Sequence, residues 1–545
     1  MTNKKQWWQK TTIYQIYPRS FMDSNNDGIG DLHGIISKLD YIKDLGFDTI
    51  WLSPIFTSPQ QDWGYDISNY LGIAPEYGQL GDVEQLIDQV HQREMRVLFD
   101  LVLNHTSIQH PWFIESCSSK DNPKRDWYIW KDGRGSRPPN NWQSIVGGSG
   151  WHIDPKSNQW YYASFLPFQP DLNYRNPDVV AEMLAIVKYW FEMGVDGFRL
   201  DIFHSLFKDA EFRDNPRSSK LYSRDFRAGY FQNWKYNFNQ PETIQFGLKL
   251  RRLADSYTPP KLLLGEIYAD DTTIKNYLGP DLDGLNLAFL WNLLIVRPNA
   301  EFLRKILYHN ELEFPEPYTP VLVFGNHDHQ RLLTRIGSDP RLASLLAVFQ
   351  FTARGVPVTY YGEEIGMTEL LYPREQSKDP VGQRFSWIPD FALKVLNLYA
   401  SRDGCRTPMQ WEPTENAGFT LPGTETWLPI NEHSNRVNVT SEMEQPESLL
   451  NVYHNLLRIR REFSALHNGS IEIIKPDRGY PQLLAYKRQY KEYAVLVLIN
   501  FGDLKCVFVN NYGFQQVILK VGDINQNEAG DIELGPLSAA IVTCG

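Results

Sequence analysis

Eight short apolar runs, at 12–17, 49–53, 96–103, a run ending at Asp201, 262–266, 284–288, 321–325 and 356–361, alternate along this chain with amphipathic stretches such as 32–45, 82–93, 178–191 and 242–256. Strand and helix in strict alternation build a parallel sheet, because a parallel neighbour is reached only through a crossover, and crossovers are right-handed. Eight such units are the number that closes a (β/α)8 barrel with its helices outside. The alternation breaks over 105–173, a stretch rich in Trp, Pro, Gly and Ser that is too long for an ordinary connection. An inserted subdomain after the third strand is expected there. Beyond a helix at 449–463, runs at 470–474, 483–488, 493–500 and 539–543 are β-branched or aromatic and separated by turns, which signals antiparallel strands. The expectation is an α/β chain: a TIM barrel over 1–104 and 174–468, a subdomain over 105–173, and a C-terminal β-sandwich over 469–545.

Charge and cysteine content narrow the function. The net charge of -11 over 545 residues argues against a nucleic-acid partner, which needs basic stripes to neutralise phosphate. No run approaches membrane-spanning length, and the basic start of the chain is not followed by a signal-like apolar segment, so the reading is cytoplasmic with no membrane partner. Cys117, Cys405, Cys506 and Cys544 show no CxxC spacing, and free thiols are expected. Aromatic residues make up 14% of the chain, with sixteen Trp; sugar rings stack on such planes, although core packing accounts for most of them.

Three acids end apolar strand-like runs: Asp201 in Gly-Val-Asp-Gly-Phe-Arg-Leu-Asp, Glu266 in Leu-Leu-Leu-Gly-Glu, and Asp328 in Val-Phe-Gly-Asn-His-Asp. In a parallel barrel the carboxyl ends of all strands open on one face, so these residues are expected to converge. Any one of them alone reads as well as a helix cap or an ion-pair partner. Together they suit glycoside hydrolysis with retention, which needs a nucleophilic carboxylate and a proton-bearing carboxyl about 5–5.5 Å apart. Asp201 and Glu266 end consecutive strands. Arg199, two residues before Asp201 and on the same side of its strand, favours the ionised form of Asp201 as nucleophile, which leaves Glu266 as the acid. Asp328 is then free to hold a hydroxyl pair or to steady the oxocarbenium-like transition state.

These motifs resemble the ordered sequence regions of the alpha-amylase family, glycoside hydrolase family 13: 100–105 (Asp-Leu-Val-Leu-Asn-His), 197–201, Gly265-Glu266 and Asn326-His327-Asp328. The stretch 169–173 (Gln-Pro-Asp-Leu-Asn) resembles a fifth region as it occurs in the oligo-1,6-glucosidase and alpha-glucosidase branch, and 355–366 resembles the eighth strand of the family. The resemblance implies Asp201 as nucleophile, Glu266 as acid/base and Asp328 as transition-state stabiliser. It also implies a glucose-gripping set of Asp62, Tyr65, His105, Arg199, His327 and Arg406, with Phe165 as aromatic platform. Trp63 stands where the family usually carries Asn. The run 23–31 (Asp-Ser-Asn-Asn-Asp-Gly-Ile-Gly-Asp) places oxygen donors at alternate positions, which is hard-cation chemistry. It is not an EF-hand, since Gly34 stands where the twelfth-position Glu belongs. The resemblance implies a structural calcium loop, magnesium being the other hard cation, with Asp23, Asn25, Asp27, the Ile29 carbonyl and Asp31 as ligands; no organic cofactor is implied.

The resemblance thus implies a retaining, exo-acting alpha-glucosidase acting on short oligosaccharides such as maltose or isomaltose, as monomer or homodimer. The alternatives are an oligo-1,6-glucosidase as main activity, a glucosyl-transferring or isomerising relative of the trehalose synthase or sucrose isomerase type, and, remotely, a non-catalytic transporter-accessory homologue. Two linkage cues disagree. Ile202 after the nucleophile resembles the alpha-1,6 enzymes, whereas the long insertion 213–241 resembles enzymes confined to short alpha-1,4 substrates.

Overall fold

The computed structural model describes residues 5–221, 228–371, 374–384, 401–475 and 480–544. The first four residues of the basic N-terminal stretch and 222–227 of the 213–241 insertion therefore lie outside the described residues.

Eight parallel strands form the central sheet: β1 (Ile13–Ile16), β2 (Thr49–Leu52), β3 (Arg96–Leu101), β4 (Gly197–Leu200), β5 (Leu262–Gly265), β6 (Leu287–Ala288), β7 (Val321–Val323) and β8 (Val356–Tyr360). They hydrogen-bond in the order β6-β5-β4-β3-β2-β1-β8-β7, the cyclic sequence of a TIM barrel. Residues of β4, β5, β7 and β8 are buried along their whole length, which explains why the sequence shows unbroken apolar runs there rather than alternation. The helices carry ordinary start signals. Pro177–Glu192 begins with Pro at its first turn behind Asn176, whose side chain accepts from the Asp178 amide. The stretch expected as one helix at 32–45 is two, Leu32–Ser37 and Leu39–Leu45, broken at Lys38 where ψ is 4°.

The chain falls into two compact units, Met1–Ile50 with Gln89–Met95 and Leu290–Gly545, and Trp51–Asp88 with Arg96–Phe289. Within the second, the inserted stretch holds a three-stranded antiparallel sheet, Trp130–Asp132, Gln159–Tyr162 and Trp151–Asp154, with the Gln159 strand central. Trp142, Trp151 and Tyr162 form its apolar centre, the core-packing role expected of most Trp residues. Within the first, the C-terminal strands make a five-stranded sheet (Ser470–Ile474, Leu483–Tyr490, Tyr493–Asn500, Ser538–Cys544, Phe514–Val521) and a three-stranded one (Cys506–Phe508, Ile532–Leu534, Ile524–Gln526). Leu496, Leu498, Ala540 and Val542 of the larger sheet share one core with Ile532 and Leu534 of the smaller, a β-sandwich. Cys506 and Cys544 sit in that core, and all four cysteines are free. Among the described residues no helix is long and apolar enough to cross a membrane.

Candidate active site

Strands β4 and β5 pair in register with Leu200 opposite Gly265, so the next residue on each, Asp201 and Glu266, emerges at the same strand end. Backbone bonds hold both in place: the Asp201 amide donates to the Leu101 carbonyl at 3.1 Å and the Glu266 amide to the Leu200 carbonyl at 3.0 Å. β3 lies on the other side of β4 with Asp100 opposite Arg199. That register gathers three carboxylates around one guanidinium. Arg199 Nη1 donates to Asp100 Oδ1 at 2.7 Å and to Asp201 Oδ1 at 2.8 Å, while Nη2 donates to Glu266 Oε2 at 2.5 Å. Arg199 is 1% exposed, and so is Asp100. Burial alone would depress the Arg199 pKa, but Asp100, Glu266, Tyr65 and Asp201 carry it well above its ordinary value. Burial raises the Asp100 carboxyl, and the Glu266 charge adds to that against the pull of Arg199.

Glu266 is held on both oxygens. Oε2 also accepts from the Ile202 amide at 3.0 Å, and Oε1 accepts from the Tyr268 hydroxyl at 3.2 Å. Ile202 takes this position at φ 30° and ψ 46°, the left-handed region that a β-branched side chain resists. Strain at such a position is characteristic of functional turns. Trp63, at φ 50°, occupies the same region, where the Asn usual in the family would sit with less strain.

The glucose-binding candidates of the same unit are linked. The Gln169 amide donates to Asp62 Oδ2 at 2.9 Å, and His105 Nε2 lies 3.2 Å from the Tyr65 carbonyl. Tyr65 donates its hydroxyl to Asp100 Oδ2 at 3.1 Å, and the Arg199 guanidinium lies over the Tyr65 ring. Asp62, Tyr65 and His105 are all buried, whereas Phe165 is half-buried with its carbonyl accepting from Ser144 Oγ. Burial lowers the His105 pKa to about 4, so its imidazole is neutral near pH 7.

In the other unit, Asp328 pairs with His327 Nε2 at 3.1 Å, Arg406 Nη2 at 3.0 Å and Arg402 Nη1 at 3.3 Å, and His329 adds to their field. Burial would raise its carboxyl pKa, but these neighbours outweigh it and hold Asp328 far below the ordinary carboxylate range. His327 is fixed on its other nitrogen by Gln15 at 2.8 Å, with its ring stacked against Tyr17. Arg406 also donates to the His327 carbonyl, and Asp379 binds Arg402 at 2.6 Å.

The 23–31 loop closes on itself. Asp23 accepts from the amides of Asn25, Asn26 and Gly28, Asn25 from Asp27, and Asp27 from Ile29. Asp31 accepts from Ser24 and from Gly34, capping the helix Leu32–Ser37. Its donors are of the kind a hard cation prefers, although among the described residues no three His, Cys, Asp or Glu side chains are gathered as a metal site.

Asp100, Asn104, Gln169, Tyr268, Gln15, Arg402 and Asp379 are absent from the residues singled out in sequence. Asp100, Asn104 and Gln169 stood inside the quoted motifs; the signal that Asp100 belongs with Arg199 is cross-strand register, which one sequence does not display. Comparison with known proteins agrees with the motifs. Residues 15–469 match the alpha-amylase catalytic domain. The chain is 35% identical to an oligo-1,6-glucosidase of Parageobacillus thermoglucosidasius over 98% of both chains, and 39% identical to a probable alpha-glucosidase of Rhizobium meliloti (strain 1021) over 92% of this chain and 90% of that one. Its fold superposes on the crystal structure of an alpha-glucosyl transfer enzyme, XgtA, with a TM-score of 0.89 and 35% identity, covering 99% of this chain and 100% of the other. The chain belongs to the alpha-amylase family, glycoside hydrolase family 13, and is a glycoside hydrolase.

Proposed function

We propose that the protein is a retaining, exo-acting alpha-glucosidase that releases terminal alpha-linked glucose from short oligosaccharides such as maltose or isomaltose. The observation that carries this reading is the shared guanidinium: Asp201 and Glu266, at the ends of adjacent strands, bind neighbouring nitrogens of Arg199, within reach of one glycosidic linkage. In the first step Glu266 gives its proton to the glycosidic oxygen as the C1–O bond breaks, and the Asp201 carboxylate bonds to C1. In the second, Glu266 takes a proton from water, whose oxygen attacks C1 and releases Asp201. Asp328, kept ionised by its cationic neighbours, has the charge to steady a positive sugar. Asp62, Tyr65, His105, Phe165, Arg199, His327 and Arg406 supply the grip on the terminal glucose.

With p-nitrophenyl alpha-glucoside, Glu266→Gln is expected to lower kcat by about 10²–10⁴-fold, the usual worth of a positioned proton donor. Asp201→Asn is expected to fall at least as far. Near-wild-type turnover in either variant sinks the assignment. Transfer of glucose to a sugar instead of water is the second reading, favoured by the likeness to a transfer enzyme. Product analysis on maltose, isomaltose, sucrose and trehalose separates the two, free glucose against a new disaccharide, and the same rates decide between the Ile202 and 213–241 linkage cues.

The 23–31 loop is assigned to a structural calcium ion held by Asp23, Asn25, Asp27, Asp31 and the Ile29 carbonyl. Chelation is then expected to lower the melting temperature while leaving turnover at low temperature intact; a melting curve indifferent to chelator and to added calcium removes the assignment. The free cysteines suit a reducing compartment, and the cytoplasm is the site of action assigned here.

A further inference from the structure

Lys208 lies seven residues beyond Asp201 with 3% of its surface exposed. Its ammonium faces three oxygens: Asp171 Oδ2 at 2.6 Å, Asn104 Oδ1 at 2.8 Å and the Ser205 carbonyl. An ammonium has three N–H donors and no acceptor; it donates to Asn104 Oδ1 and the Ser205 carbonyl and pairs its charge with the Asp171 carboxylate. The Asn104 side chain must therefore turn its oxygen to Lys208 and its NH2 away. That NH2 donates to Ser164 Oγ at 3.0 Å and to His105 Nδ1 at 3.2 Å. Since Nδ1 has to accept, the imidazole proton belongs on Nε2, from which it donates to the Tyr65 carbonyl at 3.2 Å. The opposite tautomer would set Nδ1–H against the Asn104 NH2 and a bare Nε2 against the Tyr65 carbonyl, gaining only the Gln169 amide at 3.3 Å. Two bonds stand against one.

We propose that Lys208 sets the tautomer of His105 through the amide of Asn104, and is thereby a positioning residue for the histidine that grips glucose. The proposal rests on the glucose-binding role given to His105 above. Because His105 is neutral near pH 7, the choice between its tautomers, rather than its charge, decides what it offers a sugar hydroxyl. Its Nε2–H also anchors the Tyr65 carbonyl beside Gln169, which in turn holds Asp62. The ion pair of Lys208 with Asp171 carries this orientation from the segment after β4 to the inserted subdomain, since the Asp171 carboxylate also accepts from the amide and hydroxyl of Ser164.

The test uses the full chain with 15N-labelled histidine. Long-range proton–nitrogen spectra distinguish Nδ1–H from Nε2–H, and the His105 resonances are assigned from their loss in His105→Gln. Wild type is expected to show the Nε2–H form. Lys208→Met frees the amide and is expected to give mixed tautomers, with KM for p-nitrophenyl alpha-glucoside rising about 10–100-fold, the range for losing the group that orients a functional histidine, and kcat changing less. Asn104→Asp has the same shape but only accepts, so it is expected to drive His105 to Nδ1–H; it carries the test should Lys208→Met fail to fold. A folded Lys208→Met or Asn104→Asp protein that keeps a pure Nε2–H His105 overturns the proposal. A tautomer that moves as expected while hydrolysis stays unchanged upholds the coupling and removes His105 from the glucose site.

Discussion

Arg199 stands between Asp100, Asp201 and Glu266, all of them buried, and a lysine could not replace it. A guanidinium presents donors in a planar fork that spans several carboxylates, whereas an ammonium is a point charge on a flexible stem. Arg199→Lys leaves at least one buried carboxylate without its partner, a loss of about 3–5 kcal/mol when a buried pair is broken. We expect a lower melting temperature and a kcat/KM down by about 10²-fold or more, as displaced catalytic groups produce. Unchanged kinetics would show that the fork is not needed. The pH profile carries a second signature. As pH falls, Asp100, its carboxyl raised by burial and by Glu266, takes up a proton, and Arg199 then loses one of the three carboxylates that fix its position between Asp201 and Glu266. Asp100→Asn is expected to remove that step and displace the acidic limb of kcat/KM; an identical limb in both proteins excludes Asp100 as its source. The period of two along β4 was enough to aim Arg199 at Asp201 from sequence, but not to tell Asp201 from Glu266, because the guanidinium binds both. The partner sharing needs the registers of β3 and β5, which are set by the eight-stranded sheet and not by local pattern.

The 213–241 insertion is tied to the inserted subdomain by asparagines. The Asn215 amide donates to Asn141 Oδ1 at 2.7 Å, and its carbonyl accepts from Asn141 Nδ2 at 2.9 Å. The Asn215 side chain donates to Gln232 and Asn237 and accepts from the Tyr236 amide, so all its polar atoms are matched. Phe212 stacks on Trp142, whose indole N–H donates to the Arg213 carbonyl. The residues held in this way, 212–215 and 232–237, form a wall anchored to the subdomain. Asn215→Ala removes three side-chain bonds and deprives the partly buried Tyr236 amide of this acceptor, at about 1–3 kcal/mol for such a group. Limited proteolysis is expected to cut this variant within 208–237 faster than wild type, and longer oligosaccharides are expected to gain relative to disaccharides. Equal cleavage rates and an unchanged substrate ratio would show that the asparagine ties do not hold the wall. The insertion was legible in sequence as a long segment resembling that of enzymes confined to short alpha-1,4 substrates. What it packs against was not, since polar side-chain pairs leave no periodic trace.

At the scale of the molecule, the eight strands read from apolar runs lie within a few residues of the observed ones, because buried parallel strands announce themselves by continuous hydrophobicity. Four strands of the C-terminal sandwich, Cys506–Phe508, Phe514–Val521, Ile524–Gln526 and Ile532–Leu534, were not legible; three have only three residues each, and Phe514–Val521 has a bulged register and mixed burial. Equally hidden was Glu363, in the eighth-strand motif, whose carboxyl is buried. Burial raises its pKa to about 8, with Arg335 and Arg331 opposing and the Glu364 charge assisting. The sign of the resulting pH effect follows from proton counts. Between its ordinary value of 4.5 and about 8, the unfolded chain has lost the Glu363 proton while the folded protein keeps it, so folding is progressively disfavoured as pH rises through this window. The contribution is fully present below the ordinary value and lost by about pH 8, with a ceiling of roughly 5 kcal/mol at 1.36 kcal/mol per unit. Glu363→Gln keeps the shape and removes the titration. Melting temperatures measured from pH 5 to pH 9 are therefore expected to decline more steeply for wild type than for Glu363→Gln, the gap opening between pH 5 and 8. If the two curves run parallel, Glu363 is already ionised in the folded protein, and Arg331 and Arg335 compensate it in full.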